Sequence, residues 1–478
     1  MVDNYFKLKI YAVKGGALQG RKARGIIRRR DKTKDAEEQG DRDAMALNPY
    51  FMPADGGDTA FTVEAPKIKF GYGSLAEGGS DAKALGMTKV ALFCDPKTAE
   101  LPARRTVEDA LKAAGIAVTV YKELEVEPTD RSFKAAADFA VEGGFDGYIS
   151  LGGGSTMDTC KAANLYASYP DDFLAYVNAP IGAAKPVPGP LKPHIACPTT
   201  FGTASECTGI AIFDLLEMEA KTGIASPRLR PALGVLDPSV LESLPAPVIA
   251  ANGFDVFSHA FESLTARPYS HRPKADDPQK RPLSQGANPY SDLACQEAIR
   301  LVGGHLVGAV NDPEPEDYEA LMFAGMLAGI GFGNAGCHVP HAMSYAVAGL
   351  VEDYVPEGWA TNEPMVPHGI SVIVNAPAVF RYTGAACPER HLMGAKAMGA
   401  DVSGLAPEQA GDALADRIIE MMRATGMPNG LSGVGYDDGD LAALVSKAAP
   451  QRRLLDNAPR AVHEAELEEL FRGAMRYW

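Results

Sequence analysis

Between Lys67 and Leu236 short β-rich runs alternate with amphipathic helical stretches, and this rhythm limits the possible folds more than any other feature of the chain. The runs are Lys67–Gly71, Lys89–Cys94, Ile116–Tyr121 and Gly147–Leu151, with helical stretches near Ala82 and over Thr106–Ala114 and Ser132–Val141. Such alternation predicts a parallel sheet covered on both faces, with ligands beyond the carboxyl ends of its strands. Further strand-like runs follow at His194–Cys197, Gly209–Phe213 and Ala232–Leu236. Past Asp237-Pro238 the β signal fades, and helices rich in Ala, Leu and Gly take over, broken by a polar, Pro-rich segment from Arg267 to Tyr290. The fold class expected is α/β plus all-α: an α/β domain over residues 45–240 and a helical domain over 241–478, with the cleft between them as the place for chemistry.

Residues 1–44 break the rhythm. They hold 12 Lys/Arg against 7 Asp/Glu, include Arg28-Arg29-Arg30, and carry no long apolar period. They read as a disordered extension, with Met45 or Met52 as the native start. Their acidic residues argue against a mitochondrial presequence, so a cytoplasmic location is expected, with the mitochondrial matrix as the alternative for a eukaryotic source. The whole chain has 46 Lys plus Arg against 61 Asp plus Glu, a net charge of −15, which argues against a nucleic-acid partner. No run reaches the roughly 18 apolar residues of a membrane helix. The seven cysteines are scattered without a CxxC pair and read as buried reduced thiols rather than as zinc ligands.

After the strand ending at Leu151 comes Gly152-Gly153-Gly154-Ser155-Thr156-Met157-Asp158, opening a helical stretch through Lys161. Glycines let a pyrophosphate approach the backbone, and the helix start offers free N–H groups. Ser155 and Asp158 also have capping-box-like spacing and can serve simply to start the helix. Asp95, directly after an apolar strand, suits an adenosine ribose and would favour NAD over NADP; its alternative is a turn opener with Pro96. The hydroxyl-rich run Pro198–Glu206 suits cofactor contacts or a plain turn.

In the helical half, Asp255 and His259 stand four apart and so share a helix face. With His341 and His368 they make one carboxylate and three imidazoles, a set that suits Fe(II), Zn(II) or a related Lewis acid. His338, three residues before His341, would lie beside the metal on a helical turn, or pack in the core. His271, His391 and His463 read as solvated; His194 and His305 are explained by packing.

These residues, taken in order, resemble the iron-containing (group III) alcohol dehydrogenase family. The match runs through Gly152–Ser155 with Asp158 and Lys161, Pro198-Thr199-Thr200, Gly202-Thr203, Ser205-Glu206, Lys221, Asp237-Pro238 and the Asp255/His259/His341/His368 set. It extends from about Lys67 to the C-terminus. Gly154–Ser168, Gly329–Gly336, Met343–Tyr345, Val366–Val372, Asn375–Phe380 and the insert Arg267–Asp292 carry a finer likeness to its hydroxyacid-oxoacid transhydrogenase subgroup.

The resemblance implies a dehydroquinate-synthase-like fold with a Rossmann-like nucleotide-binding domain. It implies Asp255, His259, His341 and His368 as metal ligands and Gly153, Gly154 and Ser155 at the pyrophosphate, with Asp158 among the cofactor-binding residues. Asp95 would meet the adenosine ribose, Thr199, Thr200 and Thr203 would line the nucleotide pocket, and Lys221 would approach the nicotinamide ribose. The activity implied is coupled oxidation of 4-hydroxybutyrate to succinate semialdehyde and reduction of 2-oxoglutarate to 2-hydroxyglutarate, with tightly bound NAD(H) and Fe(II), or else Zn(II). A homo-oligomer is expected. His338, Lys221, Arg267, Arg272 and Arg281 are the candidates to meet the substrate carboxylates, with ordinary surface charges as the alternative, and Lys221 and His338 are the candidate catalytic residues. The alternatives are a conventional alcohol dehydrogenase that releases NAD(H), and a non-catalytic scaffold of the same fold. Phe201, Ala204 and Cys207 depart from the family's usual residues, and the bulky ring of Phe201 would reshape the nicotinamide side of the pocket; Tyr345 replaces a histidine common in the family.

Overall fold

The computed structural model describes residues 54–218, 220–359 and 363–478; the expected extension over 1–44 lies outside them. The strands are β1 (Ile68–Phe70), β2 (Lys89–Phe93), β3 (Ala117–Tyr121), β4 (Gly147–Gly152), β5 (His194–Pro198), β6 (Ile210–Leu215), β7 (Ala220–Ala225) and β8 (Leu233–Leu236). Six of them form one sheet in the order β1-β8-β5-β4-β2-β3, every neighbouring pair parallel. Strands β4 and β5 are buried at every position, as strands covered on both faces must be.

The helices that cover the sheet begin with α1 (Gly78–Ala84), α2 (Pro102–Ala113), α3 (Asp130–Gly143) and α4 (Gly154–Ser168). Helix α3 starts on a capping box in which Thr129 and Ser132 satisfy each other's backbone N–H groups. The helical half comprises α5 (Ala246–Thr265), α6 (Pro289–Asn311), α7 (Pro315–Ala335), α8 (Val339–Gly349), α9 (His368–Ile373), α10 (Ala376–Gly384), α11 (Pro388–Ala397), α12 (Ala410–Ala424), α13 (Leu441–Ala448), α14 (Arg452–Leu455) and α15 (Glu464–Ala474). One apolar core runs from Leu75 and the sheet through α5, α6 and α7 to Met475, so the two halves are packed on shared side chains. Among the described residues no single helix is long and apolar enough to cross a membrane.

Two expectations need correction. The run Gly209–Phe213 does not join the main sheet: β6 pairs antiparallel with β7, a strand the sequence pattern does not reveal, and the two form a separate hairpin. Nor do Phe201, Ala204 and Cys207 face a ligand pocket. All three are buried against α7, where a Cβ on Gly325 would lie 2.2 Å from the Phe201 carbonyl oxygen and one on Gly329 2.5 Å from the Ala204 Cβ. The departures are therefore one side of a close helix–loop contact. Ala204 has φ 47°, the left-handed region where a Cβ costs roughly 1 kcal/mol, which explains why glycine suits that position.

Candidate active site

Helix α5 is apolar on nearly every side and almost wholly buried, so the polar residues on it are held rigidly inside the protein. Asp255, His259 and Glu262 form one stripe along it, and α8 and α9 bring His341 and His368 to the same point. Asp255 Oδ1 lies 3.6 Å from His259 Nδ1, 3.6 Å from His341 Nε2 and 3.7 Å from His368 Nε2. One donor atom from each of the four residues falls within a 4.8 Å cluster. Gly369 makes this approach possible, since a Cβ there would lie 2.1 Å from the Ala251 carbonyl oxygen and hold α9 off α5.

Asp255 Oδ1, His259 Nδ1 and His341 Nε2 are buried and have no hydrogen-bond partner. A buried polar atom left unpaired costs about 1–3 kcal/mol, so three of them converging on one point fit a cation that would satisfy all of them. Burial would raise the Asp255 carboxyl, but the imidazoles of His259, His368 and His341 outweigh it and hold the group at about 2. Burial pushes His259 down to about 4 and lowers His368, leaving neutral imidazoles, the form that donates to a metal.

Glu262 is the residue that the sequence reading misses, although it lies three positions beyond His259 on the same face. Its Oε1 stands 2.7 Å from His341 Nδ1, and its Oε2 accepts the His338 backbone N–H at 2.7 Å. Burial opposes ionisation of Glu262, yet His341 and the His338 N–H bring its carboxyl below the usual range. A carboxylate only accepts, so His341 donates from Nδ1 to Glu262; burial would lower the His341 pKa, but Cys337, Glu262 and Asp255 raise it, so Nε2 would have to give up a proton before it could hold an ion.

His338 does not join this cluster. It is the N-cap of α8 rather than part of its first turn: its Nδ1 accepts the Val339 N–H at 2.8 Å, its Nε2 lies 3.0 Å from Thr265 Oγ1, and burial lowers it to about 4. His391 is likewise not solvated. It is buried, with Nε2 3.0 Å from Thr383 Oγ1 and Nδ1 3.0 Å from the Cys387 carbonyl.

Across from the imidazoles, β4 ends and α4 begins with Gly153 as an N-cap that makes no side-chain cap bond. The capping-box alternative is not realised. Ser155 donates to the Val126 carbonyl instead, while Asp158 accepts from Ser205 Oγ at 2.5 Å, from Lys161 Nζ at 3.2 Å and from the Ile212 N–H at 2.9 Å. The first-turn N–H groups of α4 thus remain for an anion. Gly153 and Gly154 are needed for packing: a Cβ on Gly153 would lie 3.3 Å from Thr200 Oγ1, and one on Gly154 2.8 Å from the Thr203 side chain. Thr199 is buried, its N–H bonded to the Gly152 carbonyl at 3.0 Å. Gly202 presses the same loop onto α5, where its N–H meets Asn252 Oδ1 at 2.7 Å and an added Cβ would lie 3.1 Å from Asp255 Oδ2. The threonine loop and the four-donor cluster are therefore in contact.

A single cavity joins them. Gly154, Ser155, Asp158 and Thr203 line one side, His259, His341 and His368 the other, with Phe332, Ser344, Tyr345, Val366, Lys221, Glu127 and Arg453 between. Lys221 is held by Glu127 at 2.7 Å and by its cross-strand partner Asp214 at 3.1 Å; burial alone would lower its pKa, but the two carboxylates push it up. Asp95, Gly153, Thr199, Thr200 and His338 do not line the cavity. Asp95 sits at the carboxyl end of β2 as expected, yet its carboxylate accepts the N–H groups of Lys97 at 3.0 Å and Thr98 at 2.9 Å and the Thr98 hydroxyl, which is the turn-opening alternative.

Comparison with known proteins bears on the same residues. The family model described as iron-containing alcohol dehydrogenase matches residues 65–238, and that of the Fe-containing alcohol dehydrogenase family, C-terminal, matches 283–475. The mitochondrial hydroxyacid-oxoacid transhydrogenase of Rattus norvegicus is 46% identical over 88% of this chain and 91% of its own length. The enzyme of the same name from Homo sapiens is 45% identical over the same shares. Among solved structures, a 1,3-propanediol oxidoreductase superposes with a TM-score of 0.76 at 27% identity, covering 87% of this chain and 100% of its own.

Proposed function

The chain belongs to the iron-containing alcohol dehydrogenase family, and from that membership we propose that it is a hydroxyacid-oxoacid transhydrogenase. It oxidises 4-hydroxybutyrate to succinate semialdehyde and, with the same hydride, reduces 2-oxoglutarate to 2-hydroxyglutarate, using NAD(H) that stays bound and one divalent metal, Fe(II) before Zn(II). The observation that carries this reading is the meeting, in one cavity, of an intact Asp/His donor set whose buried atoms lack partners and an uncapped helix start. The choice of transhydrogenase within the family is supported by the identity to the rat and human enzymes of that name.

When bound, the ion supplies a Lewis acid that eases deprotonation of the substrate hydroxyl, and the nicotinamide supplies the hydride acceptor. Asp255, His259, His341 and His368 would hold the ion, and Glu262 keeps His341 in the ligating tautomer. The N–H groups at the start of α4 would take the pyrophosphate, with Thr199, Thr200 and Thr203 shaping the loop beside it. Lys221, fixed by Glu127 and Asp214, would donate to the nicotinamide ribose from the cavity wall. Phe332 and Val366 make that wall apolar and exclude water from the reacting carbon. On this reading the residues before about 240 hold the nucleotide and those after it the metal. The word mitochondrial in the names of the rat and human enzymes supports the matrix over the cytoplasm.

A second reading, a conventional alcohol dehydrogenase that releases its cofactor each turnover, is favoured by the likeness to 1,3-propanediol oxidoreductase. Single-turnover spectroscopy separates the two. Adding 4-hydroxybutyrate to the purified enzyme should raise the absorbance of bound NADH by about one equivalent per chain, and 2-oxoglutarate should then abolish it. Steady consumption of added NAD with 4-hydroxybutyrate and no oxoacid would defeat the transhydrogenase reading.

A further inference from the structure

We infer that Arg453 is the residue that anchors the substrate carboxylate and so selects hydroxyacids and oxoacids over plain alcohols and aldehydes. The inference rests on the transhydrogenase reading and names the group that reading still needs, because both of its half-reactions act on carboxylate anions. A buried anion requires a cation that is not already neutralised.

The other cations that the sequence offers for this task are engaged or lie elsewhere. Lys221 stands between two carboxylates. Arg281 closes on Asp58 through contacts of 2.8 and 2.9 Å, and Arg272 donates to the Ser284 carbonyl at 2.5 Å. Arg267 lines a different cavity, and the buried, neutral His338 is a helix cap. Lys161, behind the cavity wall, is closed on Asp158, Ser205 and the Ile210 carbonyl.

Arg453 differs from all of these. It lines the cavity that holds His259, His341 and His368, and it has no ion pair among the described residues. It belongs to the one-turn helix α14, pinned from below by the buried Leu454 and Leu455. That helix packs on α8, the helix that carries His341 and Tyr345. The adjacent Arg452 turns away to pair with Asp456 and the Val462 carbonyl, so the two neighbouring arginines have separate roles. A guanidinium at the cavity rim both draws anions toward the opening and offers a planar fork that matches a carboxylate in bidentate fashion.

The test compares R453Q and R453K with the wild-type enzyme, after metal content and circular dichroism have verified folding. For R453Q the ratio of kcat/KM for 4-hydroxybutyrate to that for butan-1-ol should fall roughly 10–100-fold, mostly through KM, and calorimetric affinity for butyrate should weaken by about the same factor. R453K, which keeps the charge but loses the fork, should lie between. A ratio and a butyrate affinity in R453Q within about twofold of wild type would overturn the inference. If the wild-type enzyme instead turns over 4-hydroxybutyrate only with free NAD, the transhydrogenase reading falls while the ratio still decides Arg453, so the two failures are distinguishable.

Discussion

On the helical wall of the cavity, Asp255 Oδ1, His259 Nδ1 and His341 Nε2 are buried without a partner. On the sheet wall, Asp158, Lys161 and Ser205 are also buried, and each is satisfied by the others or by backbone, although Thr203 Oγ1 beside them lacks a partner. The contrast separates two ways of building a binding wall. The first keeps side-chain donors unsatisfied at a fixed point, which is tolerable only when something binds there. The second uses its side chains to lock the backbone and leaves main-chain N–H groups exposed at a helix start, where they would recognise an anion by shape and dipole. Substitutions should therefore act through ligand chemistry on the helical wall and through packing on the sheet wall.

The largest effect should follow from breaking the donor set. D255A and H259A should each lose the stoichiometric metal and lower turnover by roughly 10³-fold or more, since an ion acting as a Lewis acid supplies several kcal/mol. Chelation of the wild-type enzyme should produce the same loss, restored by added Fe(II), whereas neither variant should recover; elemental analysis beside the assay decides it. Next comes E262Q. A glutamine can still accept from His341 Nδ1, but its amide nitrogen cannot accept from the His338 N–H, so metal affinity should fall about 10–100-fold in a chelator competition. An unchanged affinity would mean that Glu262 supports α8 and has no bearing on the donor set.

The same contrast explains what the sequence reveals and what it hides. The strands β2, β4 and β5 are legible because a buried parallel strand must be a largely apolar run, and Val90–Phe93 and Tyr148–Leu151 are such runs. Strand β7, Ala220–Ala225, holds a lysine and a glycine among small residues and owes its existence to pairing with β6, so no local pattern announces it. Asp255 and His259 are legible because four-residue spacing on a helix is a local rule, and Glu262 extends that stripe one turn further. Arg453 lies 85 positions after His368 (453 − 368) in an ordinary charged stretch, and only the packing of α14 on α8 brings it to the cavity. The position of His338 fails for the opposite reason: three-residue spacing predicts a shared helix face, but the chain enters α8 at that residue, and its ring caps the helix instead.

On the sheet wall a smaller effect is expected from G154A. The added Cβ would lie 2.8 Å from the end of the Thr203 side chain, which must shift just where the pyrophosphate would rest. NADH affinity, followed by fluorescence titration, should weaken about tenfold, the equivalent of the 1–3 kcal/mol that overpacking costs. Metal content should stay at the wild-type level. If it falls in step with NADH affinity, the two walls are not independent, and the contact between Gly202 and Asp255 is the place where they couple.

The smallest effect belongs to a charge that is already spent. Asp58 is held at about 2, mainly by its hydrogen bonds with Arg281, with burial opposing and the N–H groups of Ala60 and Thr59 assisting. The pair ties the segment before β1 to the insert after α5. Because the folded value lies below the roughly 3.9 of an unfolded aspartate, its stabilisation is fully present above about pH 4 and is lost as the pH falls toward 2. D58N should therefore lower Tm at pH 7 by about 3 °C, as befits the loss of one ion pair, and the gap to wild type should close in scans below pH 4. The same variant frees Arg281, and the preference for 4-hydroxybutyrate over butan-1-ol should nevertheless stay at the wild-type ratio, because Arg281 lines a smaller neighbouring cavity and not the one that holds Arg453. A shift in that ratio would mean that the insert reaches the substrate, and that an unspent guanidinium anywhere near the opening, rather than one placed by α14, is enough to select carboxylates.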